Sequence, residues 1–341
     1  MLAMLVSVGS ALVLLAAGSG WLLTGYISSH LRRVNADTSQ AGPAGPVNIL
    51  LAGVDVRAGL TEREKRILHV GNATGQNSDT LMVAHVSADH RQISVVSLPR
   101  DSWVKIPGHG MNKINAAFGL GGPALMVKTV EAATGMSIND FVEVNFLGFV
   151  KIIDALGGVD ICLPYAVNDP YSGLHLTAGP HHVNGIRALQ FARDRHSFAT
   201  SDLARISDQQ QLLSSVLSEA ASSGTLTNPL KFSRFLSAAT SATKVDQSFN
   251  VTGLADELRF IRPGAVSFTT VPLANTNYQA PNGELALLWN HAKAAALFAR
   301  IRSDRPAARH HGGAHRIRSG QPTVWQVKPR TAAQAACHGR H

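Results

Sequence analysis

The sequence has 341 residues, of which 45% are hydrophobic and 16% charged, and its formal net charge is +9. This length and apolar content fit a globular core organised as one large domain or two small ones. Residues 301–341 contain eight Lys or Arg and one acidic residue, so most of the excess charge lies in this segment. The basic composition therefore gives no reason to predict nucleic-acid binding by the folded part.

The two cysteines of the chain are far apart in sequence. Cys162 lies in an apolar run, which favours a small buried hydrophobic side chain, and Cys337 belongs to the basic C-terminal segment. The pair implies no disulfide framework.

The first 27 residues contain no charged side chain and are rich in Leu, Val and Ala. A helix of this length can cross a bilayer, so residues 1–27 are predicted to be a transmembrane anchor. A cleaved signal peptide is the alternative, but the run is long for one and no small-x-small cleavage site follows it. Arg32 and Arg33 follow the span with no basic residue before it, which alone would place the rest of the chain in the cytoplasm. A start codon assigned too late would remove this conflict.

A polar segment rich in Pro and Gly, residues 28–46, is predicted to link the anchor to a folded domain over residues 47–300. The domain is expected to open with an apolar strand over residues 48–54 that ends at Asp55. Next in order are Arg57, a short charged helix over residues 60–70, a loop over residues 71–78, and a second carboxylate, Asp79.

Residues 78–101 carry the pattern around which the rest of the chain is arranged. Two apolar β-rich runs, residues 81–86 and 93–98, are separated by a short polar turn, which predicts a hairpin. Both strands are largely apolar, as in the middle of a layered α/β domain. Because such strands are antiparallel, Asp79 before the first and Arg100 after the second should lie side by side at one sheet edge.

Two carboxylates at that edge, Asp55 and Asp79, suggest a Mg²⁺ site among arginines. Proteins often hold this ion with one or two carboxylates, water and substrate phosphate. The alternative is that both are turn or capping residues, since Asp is common at such positions.

Helical and strand patterns continue to alternate after the hairpin. The predicted elements are a helix over residues 123–133, a strand over 141–146, a helix over 147–156 and a strand over 159–163. This alternation predicts an α/β sheet with helices on both faces.

The most charged constellation is predicted at a helix–loop–helix corner. One helix covers residues 185–193, and the next covers about residues 202–221. Arg193, Arg195 and Arg205 flank the corner, and guanidinium groups bind phosphate through two parallel hydrogen bonds. A solvated basic face with surface ion pairs is the alternative.

The remaining predicted elements support the domain. They are helices over residues 228–241 and 251–261, a strand over 265–271 and a closing helix over 283–300. Residues 301–341 are predicted to be a disordered tail, because they are rich in Arg, His and Pro. The five histidines of this tail lack the spacing of a metal site.

Seven ordered motifs between residues 47 and 221 resemble the LytR-CpsA-Psr (LCP) family. They read NILLxGxD, SDT, SLPRD, KINAA, GGVD, FARxRH and DLxRIxxQQ. The resemblance implies a three-layer α/β/α fold with a mixed central sheet, in an extracytoplasmic enzyme held in the cell membrane by one helix. It also implies transfer of a glycopolymer from a polyprenyl-pyrophosphate carrier to a peptidoglycan hydroxyl, assisted by Mg²⁺ or Mn²⁺.

The motifs also imply residue roles. Asp55 and Asp79 would hold the metal. The pyrophosphate would be bound by Arg57, Arg100, Arg193, Arg195, Arg205 and Gln209. The candidate catalytic residues are Arg100, Asp101, Arg193, Arg195 and Arg205. Asp101 would act as a base or would orient Arg100, and the second role is preferred. The polyprenyl tail would enter an apolar tunnel between sheet and helices, with the 147–156 helix as a candidate lining.

Two positions depart from the family pattern. Many relatives carry Arg where this chain has Asn77 and Asp208, so two cationic contacts are missing and one becomes anionic. A weaker pyrophosphate affinity is expected unless Arg57 or Lys113 compensates.

Two other functions are weighed against the transferase. One is a protein that binds polyprenyl phosphate without turnover, which the two departures would suit. The other is a membrane-bound transcriptional attenuator, which is disfavoured because no helix-turn-helix pattern is recognisable and the excess charge is confined to the tail. An arabinogalactan, teichoic-acid-like or capsular polymer would each fit the transferase.

Overall fold

The structure is a computed structural model that describes residues 31–39, 45–55, 61–68, 78–163, 166–194, 201–220, 224, 228–250, 253, 261, 263–305 and 330–331. Its centre is a mixed sheet of eight strands. Numbered along the chain and given in sheet order, these are β1 (Arg32–Val34), β12 (Thr243–Asp246), β7 (Asp140–Asn145), β2 (Val47–Val54), β3 (Ser78–Val86), β4 (Ile93–Ser97), β13 (Val266–Thr270) and β16 (Arg330–Thr331).

Shorter strands pair outside this sheet, and helices cover it. The pairs are β5 (Trp103–Ile106) with β6 (Gly110–Lys113), β8 (Val159–Leu163) with β11 (Gly179–Val183), β9 (Val167–Asp169) with β10 (Leu174–Leu176), and β14 (Leu273–Gln279) with β15 (Leu285–Trp289). The α-helices are α1 (Glu62–Ile67), α2 (Ala116–Thr134), α3 (Phe146–Leu156), α4 (Gly185–Arg193), α5 (Ser201–Ala220), α6 (Pro229–Ala242) and α7 (His291–Arg302).

The β3–β4 hairpin confirms the prediction made from residues 78–101. The two strands are antiparallel, with Met82 opposite Ser97. On its other side β3 pairs antiparallel with β2, which in turn pairs parallel with β7. The end of β2, the start of β3 and the end of β4 therefore meet at one edge of the sheet. Asp79 is the second residue of β3 and does not lie in the preceding loop.

Helices cover both faces of the sheet, as expected. Alternate residues of a strand point to opposite faces. One face packs against α2 and α7 through a buried cluster that includes Leu50, Leu81, Val96, Val130 and Phe298. The opposite face packs against α5 through Ile49, Met82, Phe268, Leu213 and Leu217.

The helix α3 confirms the prediction for residues 147–156 and is held close to α4. The Asn145 side chain accepts a hydrogen bond from Gly148 N, which caps the start of α3. A Cβ on Gly185 would lie 2.3 Å from the carbonyl oxygen of Val150, so only glycine allows this approach of α4 to α3. The contact brings the end of α4, with Arg193, to the edge of the sheet where β2 ends.

Two predicted helices differ from the observed ones. Residues 285–289 form β15, so the predicted helix over 283–300 is wrong in its first part, and α7 begins only at His291. A short apolar run fits a strand as well as a helix, and here it pairs with β14. The helix predicted over 123–133 begins earlier, at Ala116, and is kinked at Gly121 and Gly122.

The sheet also includes residues outside the predicted domain. β1 belongs to the predicted linker, yet it pairs in parallel with β12, and nearby Ala36 is buried. β16 belongs to the predicted tail and pairs antiparallel with β13. β1 and β16 are only two or three residues long, and each pairs with a strand far away in the sequence. No local sequence pattern therefore predicts either strand.

The predicted anchor, residues 1–27, lies outside the described residues, as does most of the predicted helix over 251–261. Within the part of the chain that the structure describes, no helix has the length and apolar content needed to cross a membrane.

Cys162 corrects the expectation for the cysteines. It is disulfide-bonded and only half-buried, so it is not a small buried hydrophobic residue. The other cysteine of the sequence, Cys337, lies outside the described residues.

Candidate active site

A cavity of about 710 Å³ lies between the sheet and the helices α3, α4 and α5. Its apolar lining includes Leu51, Met82, Val142, Val144, Phe149, Ile152, Leu189, Leu213 and Val216. Five charged or amide side chains, here called the polar end, also line it: Asp55, Asp79, Arg100, Arg193 and Gln209. Asp55 follows the end of β2, and Asp79 lies at the start of β3. The cavity therefore offers an apolar interior and a charged end to the same ligand.

Arg100 and Asp79 form the best-defined contact of the polar end. Arg100 Nη1 donates to Asp79 Oδ1 at 2.7 Å, and the two side chains are 18% and 24% exposed. Partial burial strengthens such a charge-assisted hydrogen bond relative to a fully solvated pair. The expected proximity of the two residues across the hairpin is confirmed.

Asp101 lies between two cations. Its Oδ2 accepts a hydrogen bond from Arg100 Nε at 3.3 Å, and its Oδ1 is 3.4 Å from Lys113 Nζ. The same Nζ is 3.7 Å from Glu284 Oε2. A carboxylate held in this way is placed to fix the orientation of the Arg100 guanidinium.

Arg193 ends α4 and connects three parts of the fold. Its Nη1 donates to the Leu68 carbonyl oxygen at 2.8 Å, and its guanidinium carbon lies 5.2 Å from the centre of the Phe146 ring. Cation–aromatic contact of this kind stabilises a guanidinium without neutralising its charge. Arg193 therefore holds Leu68 at the end of α1 and also lines the cavity.

The consecutive glutamines of α5 point in different directions. Gln209 lines the cavity, and its Nε2 donates to the Ala192 carbonyl oxygen at 3.3 Å. Gln210 is buried, and its Nε2 lies 2.9 Å from Ser97 Oγ and 3.2 Å from the Thr269 carbonyl oxygen. The sequence predicts no role for Gln210. Adjacent helical residues point about 100° apart, which allows Gln209 to line the cavity while Gln210 contacts the sheet.

Asp55 and Asp79 reach the same end of the cavity from neighbouring strands. Gly53 faces Thr80, and a Cβ on Gly53 would lie 3.1 Å from Thr80 Cβ. The strand register shifts between Gly53 and Val54, just before Asp55.

The donor set at this end suits a hard divalent ion. Two carboxylates fit Mg²⁺ when water and substrate phosphate oxygens complete its coordination. Among the described residues, no group of three or more His, Cys, Asp or Glu side chains is arranged to hold a metal.

Several predicted site residues have no described side chain. Arg57, Asn77 and Arg195 lie outside the described residues, and Arg205 is described only as part of the α5 backbone. Their predicted roles stay predictions. Asp208, one of the two departures from the family pattern, is half-buried on α5.

Fold and cavity together define a mixed α/β protein with an apolar cavity that ends in charged side chains. A sequence model of the LytR_cpsA_psr family matches residues 27–302, and the chain belongs to this family.

Three similar proteins illustrate the relationship. The chain is 33% identical over 312 residues to the cell wall biosynthesis protein LcpA of Corynebacterium glutamicum, with 81% of this chain and 60% of LcpA covered. It is 36% identical over 187 residues to the polyisoprenyl-teichoic acid–peptidoglycan teichoic acid transferase TagU of Oceanobacillus iheyensis, with 53% of each covered. The match thus spans only part of the length of these relatives. The crystal structure of Bacillus subtilis TagV has the same fold, with a TM-score of 0.62, 23% identity, and coverage of 77% of this chain and 98% of TagV.

Proposed function

We propose that this protein is an extracytoplasmic phosphotransferase that moves a glycopolymer from a polyprenyl-pyrophosphate carrier to a peptidoglycan hydroxyl. The observation that carries the proposal is the cavity of about 710 Å³, apolar inside and lined at one end by Asp79 and Arg100. A polyprenyl pyrophosphate has the same two parts, an apolar chain and a charged head. The similarity to LcpA and TagU supports a role in cell-wall assembly.

The cavity divides the binding of such a substrate between its two parts. Its volume lies in the usual range of small-molecule sites, about 300–1,000 Å³. Each methylene buried in the apolar interior contributes about 0.8 kcal/mol to binding. The interior therefore supplies affinity for the lipid, and the polar end places the pyrophosphate.

The proposed reaction exchanges one phosphorus–oxygen bond for another. The acceptor hydroxyl oxygen attacks the phosphorus that carries the glycopolymer. The bond from this phosphorus to the bridging oxygen breaks, polyprenyl phosphate leaves, and the hydroxyl proton passes to solvent. The product is a glycopolymer joined to peptidoglycan through a phosphodiester.

Arg100 is the residue best placed to assist this exchange. Phosphoryl transfer depends mainly on positioning and on stabilising charge at the phosphoryl oxygens. Asp79 and Asp101 hold the Arg100 guanidinium from two sides, so its donors are oriented before substrate binds. Mg²⁺ bound by Asp55 and Asp79 would supply further positive charge beside the pyrophosphate.

The disulfide of Cys162 supports a location outside the cytoplasm. Structural disulfides persist in oxidising compartments and are rare where thiols are kept reduced. The location also agrees with residues 1–27 acting as a single membrane anchor.

The test uses the full-length protein, a polyprenyl-pyrophosphate-linked glycan and Mg²⁺, and it measures release of polyprenyl phosphate with and without peptidoglycan. Arg100→Ala should lower the rate by about 10²–10³-fold, the usual effect of removing one donor that stabilises developing negative charge. Asp79→Ala should also lower it. Arg91→Ala is the matched control, since Arg91 is exposed in the β3–β4 turn at the opposite end of the hairpin.

Two outcomes would contradict the proposal. Unchanged turnover in Arg100→Ala would place the chemistry elsewhere. Tight lipid binding without release by the wild type would make this a protein that binds polyprenyl phosphate without turnover.

A further inference from the structure

Two hairpins, β5–β6 and β14–β15, form a continuous surface next to the polar end. Ser102 pairs in parallel with Leu287, and Leu287 N donates to the Asp101 carbonyl oxygen at 2.9 Å. Trp289 Nε1 donates to Ser102 Oγ at 2.8 Å, which fixes the hairpins together from inside. Both hairpins are therefore attached directly to the residues that follow Arg100.

The outward side of these hairpins carries aromatic and apolar groups. Val104 and Ile106 of β5 point into the core, so Trp103 and its cross-strand neighbour Lys113 point outward. The Trp103 ring lies 6.4 Å from the Tyr278 ring, at an angle of 56° between planes, and both residues are half-buried. These two rings from different hairpins form one aromatic platform.

Uncharged hydrogen-bonding groups precede Tyr278 on the same strand. β14 exposes a run of short polar residues, Asn275, Thr276 and Asn277, directly before Tyr278. Lys113 and Glu284 add one charge of each sign beside it. A sugar ring presents an apolar C–H side and a rim of hydroxyls, so aromatic rings bordered by amides and charges match its chemistry.

A chain of contacts joins this surface to the polar end. It runs from Glu284 to Lys113 (3.7 Å), to Asp101 (3.4 Å), to Arg100 (3.3 Å) and to Asp79 (2.7 Å). Each step lies within ion-pair distance. A polysaccharide on the hairpins would therefore have a hydroxyl group close to the phosphorus bound at Arg100.

We propose that this hairpin surface, comprising Trp103, Lys113, Asn275, Asn277, Tyr278 and Glu284, binds the saccharide chain of the acceptor. The inference rests on the proposed transferase function, for which it identifies the site of the second substrate. Trp103 and Tyr278 contact the sugar rings, and Lys113 and Glu284 bind hydroxyls. The occupant is a polysaccharide without lipid, distinct from the carrier in the cavity.

The test measures binding of soluble peptidoglycan glycan fragments to the full-length protein by titration calorimetry, with no lipid donor present. Trp103→Ala and Tyr278→Ala should each raise the Kd about tenfold, as when an aromatic anchor of an interface is truncated. Trp103→Phe should retain most of the affinity. Leu230→Ala should bind as the wild type, because Leu230 is 69% exposed on α6, outside the hairpin surface.

The same variants separate this inference from the transferase proposal. Affinity for the polyprenyl-pyrophosphate donor should be unchanged in all of them. The Glu284 side chain is 52% exposed, so Glu284→Gln alters the surface without disturbing the core. This variant should raise the glycan Kd several-fold.

Equal glycan affinity in Trp103→Ala, Tyr278→Ala, Glu284→Gln and wild type would overturn the inference, and so would a wild type that does not bind the glycan. If polyprenyl phosphate is still released when the glycan result is negative, only the hairpin-surface inference is overturned and the transferase proposal is kept. If the glycan binds through the hairpin surface but no polyprenyl phosphate is released, the transferase proposal is contradicted.

Discussion

The two faces of the central sheet carry similar apolar side chains but are filled to different extents. Between the sheet and the helices α2 and α7, Leu50 and Phe141 of the sheet and Phe298 of α7 are almost completely buried. On the face toward α3 and α5, Val144 and Leu213 stay half-buried because they line the cavity. The alternation of apolar residues in a strand therefore predicts which side chains are buried. It does not predict whether the space between the sheet and the covering helices is filled.

The largest expected difference between the faces comes from removing an aromatic side chain. Phe141→Ala should lower the free energy of unfolding by about 3–5 kcal/mol, because it leaves a void in a filled core. Phe149→Ala should cost clearly less, since Phe149 already borders the cavity. Urea denaturation of both variants measures the difference. Equal losses would show that both faces are packed alike.

The second prediction concerns how much the disulfide of Cys162 stabilises the cavity side of the sheet. Cys162 lies on β8, whose neighbours Ile161 and Leu163 pack with α3, α4 and α5. Cys162→Ser should lower the free energy of unfolding by about 2–4 kcal/mol, the usual contribution of a native disulfide. A reducing agent should destabilise the wild type by a similar amount and leave Cys162→Ser unaffected. Destabilisation of the variant by the same reducing agent would argue against this cause.

Enlarging a side chain should affect the faces in opposite ways. Val83→Phe should cost about 1–3 kcal/mol of stability, because Val83 is fully buried in the filled face and the extra volume forces strain. Val144→Phe should cost little, since its side chain can extend into the cavity. Its effect should appear instead as weaker binding of polyprenyl phosphate. Normal lipid affinity in Val144→Phe would show that the lipid does not occupy this part of the cavity.

The smallest expected effect concerns pH and His182 on β11. Its Nε2 donates to the Gly157 carbonyl oxygen at 2.9 Å and its Nδ1 to Asp160 Oδ1 at 2.8 Å. The hydrogen bond to Gly157, followed by that to Asp160, raises the pKa of His182 above its ordinary value. Because the side chain is 62% exposed, the contribution to stability should stay below about 1 kcal/mol.

The sign of this effect follows from the raised pKa. The folded state binds the proton more tightly than the unfolded state, so the stabilisation is complete below about pH 6.5, the ordinary pKa of histidine. It is lost as the pH rises through the higher pKa of the folded state. His182→Gln should therefore lose more stability at pH 5.5 than at pH 8.5, as measured by urea denaturation. An equal loss at both pH values would exclude the protonated form as its source.

Much of the sheet and one contact of the site could be predicted from the sequence. The β3–β4 hairpin follows from two apolar runs and a polar turn, and the antiparallel pairing then requires Asp79 to lie near Arg100. Both are consequences of short-range pattern. The helix α3 was predictable for the same reason, because its apolar stripe and its terminal glycine lie within a dozen residues.

Other features depend on partners far along the chain. β1 pairs with β12, and Arg193 bonds to Leu68, but neither stretch of sequence contains a sign of the other. The β14–β15 hairpin could not be predicted, because the apolar composition of its second strand also fits a buried helix. The size of the cavity was also beyond prediction, since it depends on how far α3 and α5 stand from the sheet.

The direction of β1 has a consequence for how the protein would reach its substrate. β1 runs antiparallel to β2, and Arg32 is level with Ala52 through β12 and β7, so the chain enters the sheet at the edge that carries the polar end, three strands away from β2. Residues 28–31 can reach at most about 14 Å when extended. With residues 1–27 embedded in a bilayer, this short tether would keep the polar end near the leaflet surface. On the proposed function, the isoprenoid chain of a carrier lipid would then pass from the bilayer into the cavity with little exposure to water.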